Sequence, residues 1–222
     1  MSTYPHERQI EYWVNHAIED YFENQGYNVI VLPNSNRVEK VIPYDHLFAG
    51  RGIKVFGLQY KRLHNASEDY WLIDIPQLRQ LSHFKWIYYA LPQITSVHQH
   101  RNALHLTTIV PTVPINKKIG PITSLNYQLL QSDLGVGSGK IPYFRWSGFV
   151  QKLFACTEGW HPSSQDELRS IFKESSNIFS ILTDFYIIPL DTNDSRLAIR
   201  ISPFVTDIND EELDFDFGDE LR

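Results

Sequence analysis

A single cysteine, Cys156, among 222 residues excludes an internal disulfide. Packing on a helix is its expected role, since a free cysteine behaves as a small apolar residue. Long hydrophobic runs are missing too: no stretch of 18 or more apolar residues occurs, so no membrane span is expected. The opening MSTYPHERQIEYW lacks the basic stretch followed by an apolar one that marks a secretory signal. A cytoplasmic protein is expected, and there the Asn65-Ala66-Ser67 sequon is accidental. What is present suits an ordinary folded chain, with 42% hydrophobic and 14% aromatic residues to build a sizeable core.

Net positive charge is also lacking. The formal charge of −6 argues at first against nucleic acid, because phosphate contacts need lysine and arginine. Its distribution reverses that inference. Residues 207–222 (DINDEELDFDFGDELR) hold eight of the 26 acidic and one of the 20 basic residues, leaving 18 acidic against 19 basic in the body. The tail itself has two readings, a disordered solubilising end or a segment that docks on a protein partner or folds back over a basic cleft in place of a phosphate backbone.

Along the chain, Ile10, Trp13, Val14, Ala17, Ile18, Tyr21 and Phe22 recur at three- and four-residue steps, which predicts an amphipathic helix over 5–25 closed by Gly26. Residues 28–32 (NVIVL) read as a strand. Residues 38–49 and 53–61 read as a hairpin around Gly50-Arg51-Gly52. YWLIDI looks extended, Pro76 opens a short helix to about Phe84, and WIYYALP is a further strand. Beyond it, HLTTIV is expected to be a strand, 122–133 and 146–157 helices, and a capping box at Ser164 opens another helix. FYIIPL and RLAIRIS, joined by DTNDS, are expected to form a hairpin. The expected class is α/β (α+β): a core over 1–95, an α+β extension over 96–206 packed on it, and the acidic tail over 207–222.

One polar group interrupts this apolar pattern. Strand side chains alternate, so Gln59 and Lys61 share a face while Leu58, Tyr60 and Arg62 share the other. A tight turn at 50–52 with strands about 4.8 Å apart lets Asp45 and Gln59 sit together at one end of the hairpin. An acid, an amide oxygen and an ammonium suit phosphodiester hydrolysis, in which oxygen ligands hold a hard divalent cation and a basic group positions the attacking water. A buried strand has little reason to tolerate an inward lysine, since an unpaired buried ammonium costs several kcal/mol. The bland alternative puts Lys61 at an exposed strand end, its ammonium snorkelling to water, with Gln59 facing solvent.

The series of helix, strand, Asp45, hairpin and Gln59-Tyr60-Lys61 resembles the PD-(D/E)xK nuclease superfamily, in particular its Mrr-like restriction-endonuclease branch, where glutamine replaces the second acid. The resemblance covers about residues 7–92. It implies a restriction-endonuclease-like αβββαβ core and a Mg²⁺- or Mn²⁺-dependent DNA nuclease in defence against foreign DNA. Asp45, Gln59 and Glu11, on the first helix, would hold the metal, and Lys61 would orient the water and offset negative charge. Arg51, Arg62, His46 and His64 are the candidate DNA contacts. Double-strand cutting by such an enzyme favours a homodimer. The missing second carboxylate and Tyr44 before Asp45 leave open a catalytically inactive nuclease-fold adaptor that binds nucleic acid or a protein partner.

Two other patterns carry less. GVGSGK at 135–140 encloses three residues between Gly135 and Gly139, where a phosphate loop needs four, and Ile141 follows the lysine instead of Ser or Thr. His98, His100 and His105 have no cysteine beside them and no suitably spaced fourth ligand, so solvated or DNA-facing histidines are expected.

Overall fold

A computed structural model describes residues 4–34, 42–65, 68–121, 124–135, 140–172 and 176–186. All of them belong to one compact unit, Met1–Ile188. The second unit, Pro189–Arg222, lies outside the described residues, and with it the acidic tail and RLAIRIS.

Helix α1 (Glu7–Asn24) buries Ile10, Val14, Ile18 and Phe22, one residue per turn. Its end is a Schellman motif: Tyr27 N–H donates to Phe22 O (2.9 Å) and Gly26 N–H to Glu23 O (2.8 Å), with Gly26 at φ +80°. The chain then enters β1 (Val29–Pro33), which pairs antiparallel with β2 (His46–Gly50), itself antiparallel to β3 (Ile53–Tyr60). The register shifts between Phe48 and Gly50. Gly50 is required there, because a Cβ would stand 2.6 Å from Asn28 O.

From β3 the chain crosses through β4 (Leu63–Asn65), β5 (Asp69–Asp74) and α2 (Ile75–Leu81) before β6 (Ile87–Pro92) returns parallel to β3. β7 (Thr107–Pro111) adds antiparallel to β6, so the main sheet runs β1-β2-β3-β6-β7. Helix α3 (Thr112–Ile119) follows. A second sheet pairs β4, β5 and β8 (Asn126–Leu130), all antiparallel. Helices α4 (Trp146–Phe154), α5 (Gln165–Phe172) and α6 (Ser176–Tyr186) complete the described unit. The fold is α+β.

The main sheet is covered on both faces, which is why β3 and β6 are apolar almost throughout. Phe56, Leu58 and Tyr60 of β3 with Tyr88 and Ala90 of β6 pack under α1 and α4. Val55, Ile87, Tyr89 and Leu91 face the other way, onto α2, α3, α5 and the second sheet.

Three expectations need correction. The described part of 122–133, from 124 on, is no helix: β8 occupies 126–130 because Tyr127 and Leu129 pair with Ile73 and Trp71 of β5, and a 3-10 turn follows. Residues 185 and 186 of FYIIPL end helix α6, and the rest of that expected hairpin falls outside the described residues. Cys156 is exposed, at φ +59° just past α4, because the helix stops at Phe154 before its face can bury it. His98, His100 and His105 are exposed, the first two on a 3-10 helix, Val97–Asn102, and the third ahead of β7, in keeping with solvated side chains.

Candidate functional site

Asp45 is held by its backbone before β2 begins. Its N–H donates to Leu58 O (3.0 Å) and its carbonyl accepts from Asn34 N–H (2.9 Å), which anchors the side chain at the end of the β2/β3 pair. There Oδ2 accepts two hydrogen bonds of 2.7 Å, from Gln59 Nε2 and from Tyr60 N–H. Asp45 and Gln59 are therefore in contact. Gln59 is 4% exposed, in register with Tyr89 of the parallel strand β6.

Lys61, one residue past β3, is partly buried. Its Nζ donates to Gln77 Oε1 (2.8 Å) and lies 5.8 Å from the Tyr89 ring centre. The solvent-facing reading thus fails for Gln59, which is buried, while Lys61 stands past the strand end, half-buried, with its ammonium engaged by Gln77. Gln77 is itself fixed by helix geometry, since Asp74 caps α2 by accepting Gln77 N–H at Oδ1 (2.7 Å). The N-terminus of α2 thereby sets the position of the lysine.

Glu11 lies on the first half of α1, partly buried, and no hydrogen bond joins it to Asp45 among the described residues. Its link to the group is electrostatic. Burial, then the negative charge of Glu7, raise the Glu11 pKa, and Arg8 opposes them. Asp45 is pushed up to about 7, chiefly by burial, with Glu11 and Glu7 adding to the rise and the Tyr60 N–H and Lys61 opposing it.

The expected DNA contacts disperse. Arg51 is exposed at the β2–β3 turn, the opposite end of the hairpin from Asp45. Arg62 donates its backbone N–H to Glu7 Oε2 (3.0 Å), and its Nε is sealed from solvent without a partner among the described residues. His64 belongs to the second sheet, stacked on Tyr70 (5.4 Å between centres). His46 opens β2 edge-on to Tyr60 (6.0 Å); burial lowers its pKa, so it is neutral at pH 7 and makes a weak phosphate partner.

Five residues of the site escaped the sequence reading: Glu7, Asn15, Asp74, Gln77 and Tyr89. Asn15 Oδ1 accepts from the fully buried Tyr60 hydroxyl (2.6 Å). The pattern Asp74-Ile75-Pro76-Gln77 does carry a signal, since an acid three residues before a glutamine marks a helix start and places both residues at it. Nothing local marks Tyr89, which reaches the site by strand pairing.

Among the described residues no group of three or more His, Cys, Asp or Glu side chains is arranged to hold a metal ion. The oxygen donors of the cluster are Asp45, Glu11 and the Gln59 amide. No hydrogen bond reaches Asp45 Oδ1 or Gln59 Oε1 among the described residues, so both keep lone pairs for a hard cation. A Mg²⁺ ion takes one or two carboxylates and completes its shell with water and substrate phosphate, and of these donors Asp45 and Gln59 are the two in direct contact. No protein-family model, curated protein or solved structure matches the chain. No helix among the described residues is long and apolar enough to cross a membrane.

Proposed function

We propose that the chain is a metal-dependent DNA nuclease of the PD-(D/E)xK kind, hydrolysing phosphodiester bonds of foreign DNA in the cytoplasm. The observation that carries this reading is the Asp45–Gln59 contact at the end of β3, beside a lysine drawn inward and held by Gln77. The order α1, β1, β2, β3, α2, β6, with β4 and β5 of the second sheet inserted between β3 and α2 and with β3 and β6 parallel, supports it by its likeness to the element order of that core.

A divalent cation held by Asp45, Glu11 and the Gln59 amide oxygen would supply charge stabilisation at the scissile phosphoryl group. The Gln59 Nε2 hydrogen bond and the Tyr60 N–H fix the Asp45 carboxylate, leaving Oδ1 free to face that cation. Gln77 holds the Lys61 ammonium in place, and Lys61 orients the attacking water and offsets the negative charge that builds up on the phosphate. The test is incubation of the purified chain with plasmid and Mg²⁺ or Mn²⁺. Cleavage that stops in EDTA and in Lys61→Ala supports the reading; a Lys61→Ala protein that cuts like the wild type removes it.

One observation favours a second reading, a catalytically inactive adaptor that keeps the scaffold: the charged part of the proposed ligand set is only Asp45 and Glu11, and no three-residue carboxylate or histidine group stands among the described residues. Such a protein binds DNA or a protein partner without turnover under any metal in the same assay.

A further inference from the structure

An open surface cavity of about 320 Å³ lies beside the Asp45 cluster, lined by α1 from Arg8 to Glu19 and by His46 of β2. Glu11 belongs both to this wall and to the charge cluster around Asp45. The volume lies near the lower end of small-molecule sites, roughly 300–1,000 Å³, and is enough for one nucleotide.

Its rim is aromatic. Tyr12 is 67% exposed, an unusual cost for so large a ring, and it stacks on His16 one turn later, with centres 6.1 Å apart and planes 16° from parallel. The outer face of Tyr12 is open, and a flat aromatic ligand gains most from such a face. Around it stand groups able to read the edge of a base. Glu11 and Glu19 accept hydrogen bonds only. Asn15 has its oxygen committed to the Tyr60 hydroxyl, which turns its amide N–H₂ into the available group. Arg8 supplies a cation in the same wall.

We propose that this cavity is a subsite for one unpaired nucleobase with an exocyclic amino group, stacked on Tyr12 and read by the Glu11 and Glu19 carboxylates. The assignment rests on the nuclease reading of the neighbouring cluster and names its substrate as single-stranded DNA. Two acceptor-only carboxylates favour the amino group of cytosine over thymine, which offers carbonyls at that edge. Stacking holds a base that is not paired, since a base within a duplex has no free face to give.

The experiment is fluorescence anisotropy of labelled dC and dT octamers with the full chain in EDTA, so that no cleavage intervenes. The dC octamer binds, Tyr12→Ala weakens it about tenfold, in line with 1–3 kcal/mol per stacked base, and Tyr12→Phe restores it. The dT octamer binds about tenfold more weakly than dC. Because Tyr12 is exposed, its replacement leaves the melting temperature unchanged. Unlabelled dCMP displaces the octamer only at far higher concentration than unlabelled octamer; equal potency overturns the strand as the ligand. Tyr12→Ala binding as tightly as wild type, or dT binding as tightly as dC, overturns the subsite. The two readings fail separately. Tyr12-dependent binding without Mg²⁺-dependent cleavage of either plasmid or the dC octamer sinks the nuclease and spares the subsite, whereas cleavage with Tyr12-independent binding sinks the subsite alone.

Discussion

Asp45 accepts two short hydrogen bonds, yet burial and the charges of Glu11 and Glu7 outweigh them and push its pKa up to about 7. A raised carboxyl pKa has a definite sign in stability. Between the ordinary value of 3.8 and about 7 the folded state binds a proton that the unfolded chain has lost, so this group's contribution falls as pH rises through that window and is flat above it. Asp45→Asn removes the dependence. In EDTA, urea unfolding at pH 8 shows the variant more stable than wild type by up to about 4 kcal/mol, each pKa unit being about 1.4 kcal/mol, with the gap closing by pH 4. A second residue-scale prediction concerns Lys61. Replacing it by alanine lowers metal-dependent plasmid cleavage by about 100-fold or more, the size seen when one stabilising charge is lost. Far-ultraviolet circular dichroism stays unchanged, because the ammonium supports a site and not the core.

At the scale of elements, α2 is the piece that organises the site. It is only Ile75–Leu81, too short to be stable alone, and Asp74 satisfies its first turn through Gln77 N–H. Asp74→Ala costs about 1 kcal/mol in urea unfolding and also frees Gln77 from its register with Lys61, so cleavage falls further than stability explains. Asp74→Asn keeps the cap and both readouts. The elements also show where local sequence is persuasive and where it is not. α1 was legible because its buried residues recur at the helical step, and the β2–β3 hairpin because its two arms lie close in the chain. Residues 126–130 gave no such clue: NYQLL becomes a strand by pairing with β5, more than fifty residues earlier, and that pairing outweighs local preference. Cys156 was misplaced for a related reason, since its burial depends on where α4 ends, and that helix stops two residues short of it.

For the whole molecule, the main sheet divides the apolar interior into two layers, and Phe149 anchors one of them. It is fully buried, 5.3 Å from Phe56 and 4.9 Å from Tyr88, joining α4 to β3 and β6. Phe149→Ala lowers unfolding stability by about 3–5 kcal/mol in urea titration, through lost burial and the cavity left behind. Phe149→Leu, which conserves most of the volume, loses about 1.5 kcal/mol or less. Because Asp45 is set by β2 and β3, the alanine variant loosens the site as well, and cleavage falls with it at 37 °C while the leucine variant retains it.

The amino-acid sequence by itself determined the α+β class, the helix and hairpin that open the fold, and the pairing of Asp45 with Gln59 fourteen residues later, since each rests on periodicity or on a turn between neighbouring segments. Tertiary structure alone decided that Lys61 engages Gln77, that Tyr89 stands beside it, and that Glu7 and Glu11 press their charge on Asp45. These depend on a parallel crossover and on a helix packing across the sheet, arrangements fixed by the burial of two apolar layers at once and not by any short stretch of the chain.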